Sequence, residues 1–222
     1  MASDADLFAE ARQHMVDSQI RPNRVTDPRI IAAMRSLPRE RFLPASLSAI
    51  AYVDEDVPLG NGRVVMEPMI LARLLQLAVP AEGERVLVIG AGTGYGSAVL
   101  SACGCRVTAV EEDRNLLAIA RPVLSEIAPA VTLLAGPLAE GASSGAPYDV
   151  ILIEGAVHEI PAAVGSQLQN DGGRLVGVIC GAGRTCQAVL AEPTSMGLRA
   201  RPMFDCATAP FPSLLPAPAF EF

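Results

Sequence analysis

The chain has 222 residues, half of them hydrophobic, and a formal net charge of −7. That length suits one domain able to bury roughly 70% or more of its unfolded surface. The acidic balance, with no basic run, argues against a nucleic-acid partner.

The N-terminus, Met1-Ala2-Ser3-Asp4-Ala5-Asp6, lacks the apolar core of a signal peptide. No apolar run approaches the ~18 residues needed to span a bilayer. A cytoplasmic protein with no membrane contact is expected. Cys103, Cys105, Cys180, Cys186 and Cys206 form no C-x-x-C pair and have no matching histidine spacing, the histidines being His14 and His158. Reduced, mostly buried thiols and no metal site are expected.

In chain order, residues 7–20 read as a first helix with Leu7, Ala11 and Met15 on one face. Arg21-Pro22-Asn23 interrupts it, and Thr26-Asp27-Pro28 starts a second helix whose apolar face is Ile30, Ile31 and Met34. Pro38 to Pro44 is a proline-bracketed turn, and 51–62 reads as an acidic loop. Pro68 opens a further helix, 69–78, with Ile70, Leu71, Leu74 and Leu75 at helical spacing.

From Glu84 strands and helices alternate. Strands are expected at 85–89, 106–110, 131–134, 148–153 and 173–179, and helices at 95–103, 114–127 and 158–169. Such alternation signals an α/β fold, a doubly wound and mostly parallel sheet covered on both faces. Pro122 should kink its helix or end it early. Strand-like pieces follow at 186–191 and 198–204, then a proline-rich tail expected to pack along the surface. Residues 1–80 read as an N-terminal helical, substrate-side segment packed on a core of 81–222, one compact domain overall.

Val86-Leu87-Val88-Ile89 followed by Gly90-Ala91-Gly92-Thr93-Gly94-Tyr95 is the stretch that carries chemistry. A buried strand, a glycine turn and a helix start let backbone approach a ligand and offer free N–H groups. The dinucleotide pattern G-x-G-x-x-G fails in either register, because Tyr95 or Ser97 stands where the last glycine is needed. Gly90-x-Gly92-x-Gly94 instead has the spacing typical of Rossmann-like methyltransferases that use S-adenosylmethionine. Glu111 and Glu112 end the second strand about 20 residues on, where a carboxylate accepts ribose hydroxyls. A solvated strand-end acid is the plainer alternative for Glu111, and an ordinary core aromatic for Tyr95.

Beyond these motifs the chain resembles the protein-L-isoaspartate O-methyltransferases from about Met15 to Val178. The resemblance rests on Leu37-Pro38-Arg39-Glu40-Arg41-Phe42-Leu43-Pro44, on Ala51-Tyr52-Val53-Asp54 with Pro58-Leu59-Gly60, and on Gly94-Tyr95. It continues through Ala146-Pro147-Tyr148-Asp149-Val150-Ile151, Ile160-Pro161 and Gly172-Gly173-Arg174-Leu175-Val176. It implies a seven-stranded Rossmann-like methyltransferase sheet with an N-terminal helical segment that closes over substrate. It also implies S-adenosylmethionine as cofactor and, as partner, a protein or peptide presenting an isoaspartyl carboxylate for methylation and repair. Cofactor contacts are expected from Gly90, Ala91, Gly92, Gly94, Tyr95, Glu111, Glu112, Leu138 and Glu154. Tyr52, Asp54, Met66 and Glu67 belong to the substrate side, and no catalytic residue is assigned.

Three positions depart from the family pattern. Val64-Val65-Met66-Glu67-Pro68 replaces Thr-Ile-Ser-x-Pro, putting a thioether where a hydroxyl is expected. Val88 stands at the first-strand acid, and Gly136-Pro137-Leu138 replaces the Gly-Asp-Gly whose acid contacts adenine. These losses keep two alternatives open: a methyltransferase with another acceptor, and a cofactor-binding protein without isoaspartyl methylation. His158 is expected as a satisfied surface residue.

Overall fold

In the computed structural model, residues 3–181 and 185–216 are described. The strands β3 (Arg85–Ile89), β4 (Arg106–Glu111), β5 (Thr132–Ala135), β6 (Val150–Val157), β7 (Arg174–Ile179), β8 (Gln187–Thr194) and β9 (Gly197–Asp205) form one sheet. The small strands β1 (Val57–Gly60) and β2 (Arg63–Val65) pair separately as an antiparallel hairpin. The sheet order is β5-β4-β3-β6-β7-β8-β9, parallel through β7 and antiparallel for the last two pairings.

The strand pattern explains the layering. Val86 and Val88 point to one face and Leu87 and Ile89 to the other, the period-two rule of a strand buried on both sides. All eight residues of β6 are buried for the same reason. The first face packs the N-terminal helices α1 (Asp4–Met15), α2 (Pro28–Ser36) and α3 (Pro68–Ala78) through Met15, Ile30, Met34, Leu71 and Leu74. It also packs α4 (Tyr95–Ala102) and α5 (Arg114–Ile127) through Val99, Leu100, Val123 and Leu124. The second face packs Leu138, Tyr148, Val164 and Phe211. Because successive crossovers leave β3 and β6 in opposite directions, a crevice opens beyond their carboxyl ends, the place where such sheets take ligands.

Several local expectations are corrected. The first helix starts at Asp4, capped by Ser3, and α-helical bonding ends at Met15 before a π turn over Val16–Ile20. The 51–62 loop contains β1, which pairs with β2 on the far side of Asn61-Gly62. The 158–169 helix shrinks to α6, Ala162–Gly165, since β6 runs on to Val157 and Pro161 delays the helix start. Pro122 does not end α5, which continues to Ile127. Cys180 and Cys186 are joined in a disulfide, against the expectation of reduced thiols throughout, while Cys103, Cys105 and Cys206 are free.

The tail is the largest correction. Thr208 and Phe211 are buried, and Phe211 belongs to the second core face. The part of the tail beyond Pro216 lies outside the described residues. Among the described residues no helix is long and apolar enough to cross a membrane.

Asp27 shows how the sequence sets a boundary. Its carboxylate accepts the Arg29 N–H at 2.9 Å and pairs with the Arg29 guanidinium, which together hold its pKa below the usual carboxylate value. Asp27→Ala is expected to lower stability by about 1 kcal/mol, read from the midpoint of urea unfolding.

Candidate active site

The glycine turn joins β3 to α4 with φ of +74° at Gly90 and +97° at Gly94. Both positions also lack room for a side chain. A Cβ on Gly94 would meet Leu124 at 2.8 Å, and one on Gly90 would fall 2.1 Å from the Phe211 ring. Gly90 and Ala91 donate their N–H groups to the Val110 carbonyl, each at 3.0 Å, which fastens the turn to β4.

Glu111 sits beneath the turn, fully buried. Its Oε1 accepts from Arg63 Nη1 at 2.7 Å and from the N–H groups of Glu112 and Asp113 at 2.9 and 2.8 Å. Its Oε2 accepts from Arg63 Nη2 and from the Gly92 N–H, both at 2.7 Å. In this conformation both carboxylate oxygens are engaged by Arg63 and by backbone N–H groups. Glu112 accepts the Leu138 N–H at 3.4 Å, and Leu138 itself points into the core.

Glu154, at the end of β6, lies against the start of α4 and accepts the Gly96 N–H at 3.3 Å. Burial pushes its pKa up to about 8, overcoming that hydrogen bond and the nearby charge of Arg39. Its Oε2, the Thr93 hydroxyl and the Tyr95 hydroxyl are buried with no partner among the described residues, and all three residues line one small cavity with Gly90, Ala91 and Gly92. Tyr95 packs edge-on to Phe42 at 5.4 Å and under the Arg39 guanidinium at 4.7 Å. Arg39 is wholly buried and donates to the carbonyls of Ala51 and Met66 at 2.7 and 2.8 Å. That contact holds the backbone at residue 66, whose side chain is in the core.

A proton balance follows from Glu154. The folded chain binds a proton there that the unfolded chain releases above about 4.5, so stability is present at low pH and falls as pH rises toward 8. Glu154→Gln is expected to flatten this slope, measured as urea midpoints from pH 5 to 9.

The residues assigned to the substrate side do not form one cluster of contacts. The Tyr52 hydroxyl donates to Glu40 and accepts from Arg12 Nε at 2.9 Å. Asp54 is exposed. Glu67 is half-buried, and burial together with Asp54, Asp56 and Glu55 pushes its pKa up to about 7. The carboxylate that ties this region together is Asp56, which accepts the Glu67 N–H at 2.8 Å and the Thr208 hydroxyl at 2.7 Å.

A profile of the protein-L-isoaspartate(D-aspartate) O-methyltransferases matches residues 10–191. The chain belongs to this family. It is 38% identical over 179 residues to the protein-L-isoaspartate O-methyltransferase of Koribacter versatilis strain Ellin345, covering 79% of this chain and 80% of that one. It is 38% identical over 177 residues to protein-L-isoaspartate O-methyltransferase 1 of Rhodopseudomonas palustris strain HaA2, covering 79% and 72%. A solved protein-L-isoaspartate O-methyltransferase superposes with a TM-score of 0.78 at 26% identity, over 91% of this chain and 67% of that one. The fold is shared with a structure from Plasmodium falciparum, solved in complex with S-adenosyl-L-homocysteine, at a TM-score of 0.76 and 16% identity, over 90% and 97%. The family is one of S-adenosylmethionine-dependent methyltransferases.

Sequence reading missed Arg63, Asp56 and Phe211. Arg63 had a signal, a lone cation beside the apolar run Val64-Val65-Met66. Phe211 had a weaker one, an aromatic between Pro210 and Pro212.

The cofactor's fit divides in two. Unpartnered Glu154, Thr93 and Tyr95 suit the polar, amino-acid end of such a molecule. The room beside them is a cavity of about 10 Å³, against several hundred Å³ for an ordinary ligand pocket. The Phe211 ring lies against Gly90, and the Arg63 guanidinium lies over that ring.

Proposed function

We propose that the chain is a cytoplasmic S-adenosylmethionine-dependent carboxyl O-methyltransferase acting on isoaspartyl residues of proteins and peptides. The observation that carries this reading is a family match running through the glycine turn, beside buried polar groups that lack partners among the described residues. The relatives, protein-L-isoaspartate O-methyltransferases, indicate the acceptor. The cofactor, when bound, supplies a methyl group already activated on a sulfonium. An ionised carboxylate acceptor is already a nucleophile, so the chain's task is alignment and exclusion of water.

In that reading Gly90 to Gly94 give backbone approach, and Glu154, Thr93 and Tyr95 orient the polar end of the cofactor. Glu111 and Glu112 border the ribose side, and Leu138 borders the adenine side through apolar contact. Tyr52, Asp54, Met66 and Glu67 flank the acceptor. Residues 1–80 act as the substrate-side segment on the 81–222 core. No nucleic acid or membrane enters the reaction.

A second reading, a methyltransferase with another acceptor, is favoured by the carboxylates Asp54, Glu55, Asp56 and Glu67. Burial first, and then the charges of Asp54, Asp56 and Glu55, raise the Glu67 pKa, and such a group of carboxylates disfavours an anionic acceptor. The deciding experiment is transfer of a radiolabelled methyl group to an isoaspartyl peptide, with a cell lysate in parallel. Label on the peptide supports the first reading. Label only on lysate components supports the second.

A further inference from the structure

The segment from Thr208 to Leu214 lies across the crevice between the ends of β3 and β6, and its place is built rather than incidental. The Ala156 N–H donates to the Ala209 carbonyl at 3.1 Å, and the Phe211 N–H donates to the Ala156 carbonyl at 2.9 Å. These bonds dock the segment on the end of β6, where Ala156 and Pro210 pair as in a parallel sheet. Asp56 anchors its start, accepting from the Thr208 hydroxyl at 2.7 Å and the Ala209 N–H at 3.2 Å. At its far side Pro212 lies against Gly62 of the β1–β2 turn, so close that a Cβ there would meet it at 2.9 Å.

The Phe211 ring fills the crevice itself. It lies 2.1 Å from where a Cβ on Gly90 would be, and 2.5 Å from one on Gly155. Two glycines, Gly90 just beyond β3 and Gly155 within β6, leave a slot that a flat ring occupies. Arg63 closes the slot with its guanidinium 4.9 Å from the ring centre and both terminal nitrogens on Glu111. A guanidinium offers Glu111 two parallel donors, the pattern a vicinal diol would offer, and Phe211 offers the crevice an aromatic face.

We propose that residues 208–214 are an autoinhibitory strap that occupies the cofactor crevice, with Arg63 as its latch, and that cofactor binds by displacing it. The proposal rests on the function proposed above. The strap lies beyond the family match, which ends at residue 191. Its contacts suit displacement, because they are a few hydrogen bonds, one isolated bridge to β6 and one buried ring, with no full strand added to the main sheet. A ligand that binds only the strap-free state has its apparent affinity lowered by the fraction of chains in that state. Weakening the strap therefore raises affinity without any change to the groups that hold the ligand.

The test is titration of the full chain and its variants with S-adenosylhomocysteine by calorimetry. Phe211→Ala should bind at least tenfold more tightly than the wild type, and Thr208→Val, which loosens only the Asp56 anchor, should move the same way by less. Thermal melts confirm that each variant is folded. Hydrogen exchange is the independent readout, since S-adenosylhomocysteine should speed exchange at the amides of Ala209 and Phe211 in the wild type. Unchanged or weaker binding by both folded variants, or protection of those amides on binding, overturns the strap while the proposed function stands. Absence of binding by all three proteins overturns the cofactor reading and the strap with it.

Discussion

Arg63→Met is expected to lower the stability of the folded chain by about 3–5 kcal/mol while tightening cofactor binding, two effects of opposite sign from one substitution. The stability loss follows from burial. Arg63 and Glu111 are 6% and 0% exposed at their side chains and meet through two contacts of 2.7 Å. Removing one partner strands a buried charge, which is far costlier than replacing the pair together. Three backbone N–H groups remain on Glu111, so the loss belongs at the lower end of that range. Met keeps most of the apolar contact with Phe211, which separates charge from packing. The double variant Arg63→Met, Glu111→Gln should recover much of the stability, because no uncompensated charge remains. Urea unfolding gives these values.

Binding moves the other way because Arg63 covers the Phe211 ring and engages both oxygens of Glu111. Its removal weakens the strap and leaves Glu111 with acceptor capacity for hydroxyl groups. Calorimetry with S-adenosylhomocysteine should show a gain in Arg63→Met and less of one in the double variant, which lacks the carboxylate. A fall in affinity in Arg63→Met would make Arg63 a cofactor ligand instead of a latch.

The parts of the fold legible in the sequence were those fixed by local periodicity. β3 and β4 are continuous apolar runs ended by a glycine turn and by acids, and their bounds came out at or within one residue of expectation. The strand-like pieces at 186–191 and 198–204 were legible too, but not their antiparallel pairing as β8 and β9. The 158–169 helix was misjudged because apolar residues at Ile160, Val164 and Leu168 mimic helical spacing. Pro161 and the extension of β6 leave room for a single turn. The disulfide was invisible because six residues separate Cys180 from Cys186, and only the antiparallel pairing of β7 with β8 brings them face to face.

The site was half legible for a related reason. Its glycines and Glu154 lie within short reach of strand ends, where motif spacing speaks directly. The groups that decide its present state come from far along the chain. Arg63 reaches Glu111 across 48 residues, and Thr208 reaches Asp56 across 152. No periodicity links such pairs. They are joined by chain topology, which brings the β1–β2 hairpin and the tail to the same end of the sheet.

Methyl transfer to an isoaspartyl peptide is expected to be about 10²-fold slower than with a relative that keeps the full Thr-Ile-Ser-x-Pro motif, and to fall further between pH 6 and pH 8. The first effect is positional. Residue 66 offers no hydroxyl to hold an acceptor carboxylate in line, and loss of alignment alone is worth about that factor. Met66→Ser is a poor rescue, because the Met66 side chain is 1% exposed within the core. Shortening such a side chain costs roughly 2–5 kcal/mol of stability. The second effect is electrostatic and belongs to Glu67, whose pKa is pushed up to about 7 by burial and then by Asp54, Asp56 and Glu55. Below that value Glu67 is neutral and an ionised acceptor approaches without opposition from it. Above it the charge returns, and two carboxylates ~4 Å apart repel by about 1–4 kcal/mol between the dielectric of water and that of a protein surface. The acceptor stays ionised throughout this window, so its nucleophilicity does not produce the fall. Glu67→Gln should therefore be faster than wild type at pH 8, equal to it at pH 6, and level between them, with the difference carried in KM. A wild-type profile that is already level from pH 6 to pH 8 would show that Glu67 does not face the acceptor. The methionine at residue 66 would then be left to account for the slow transfer alone.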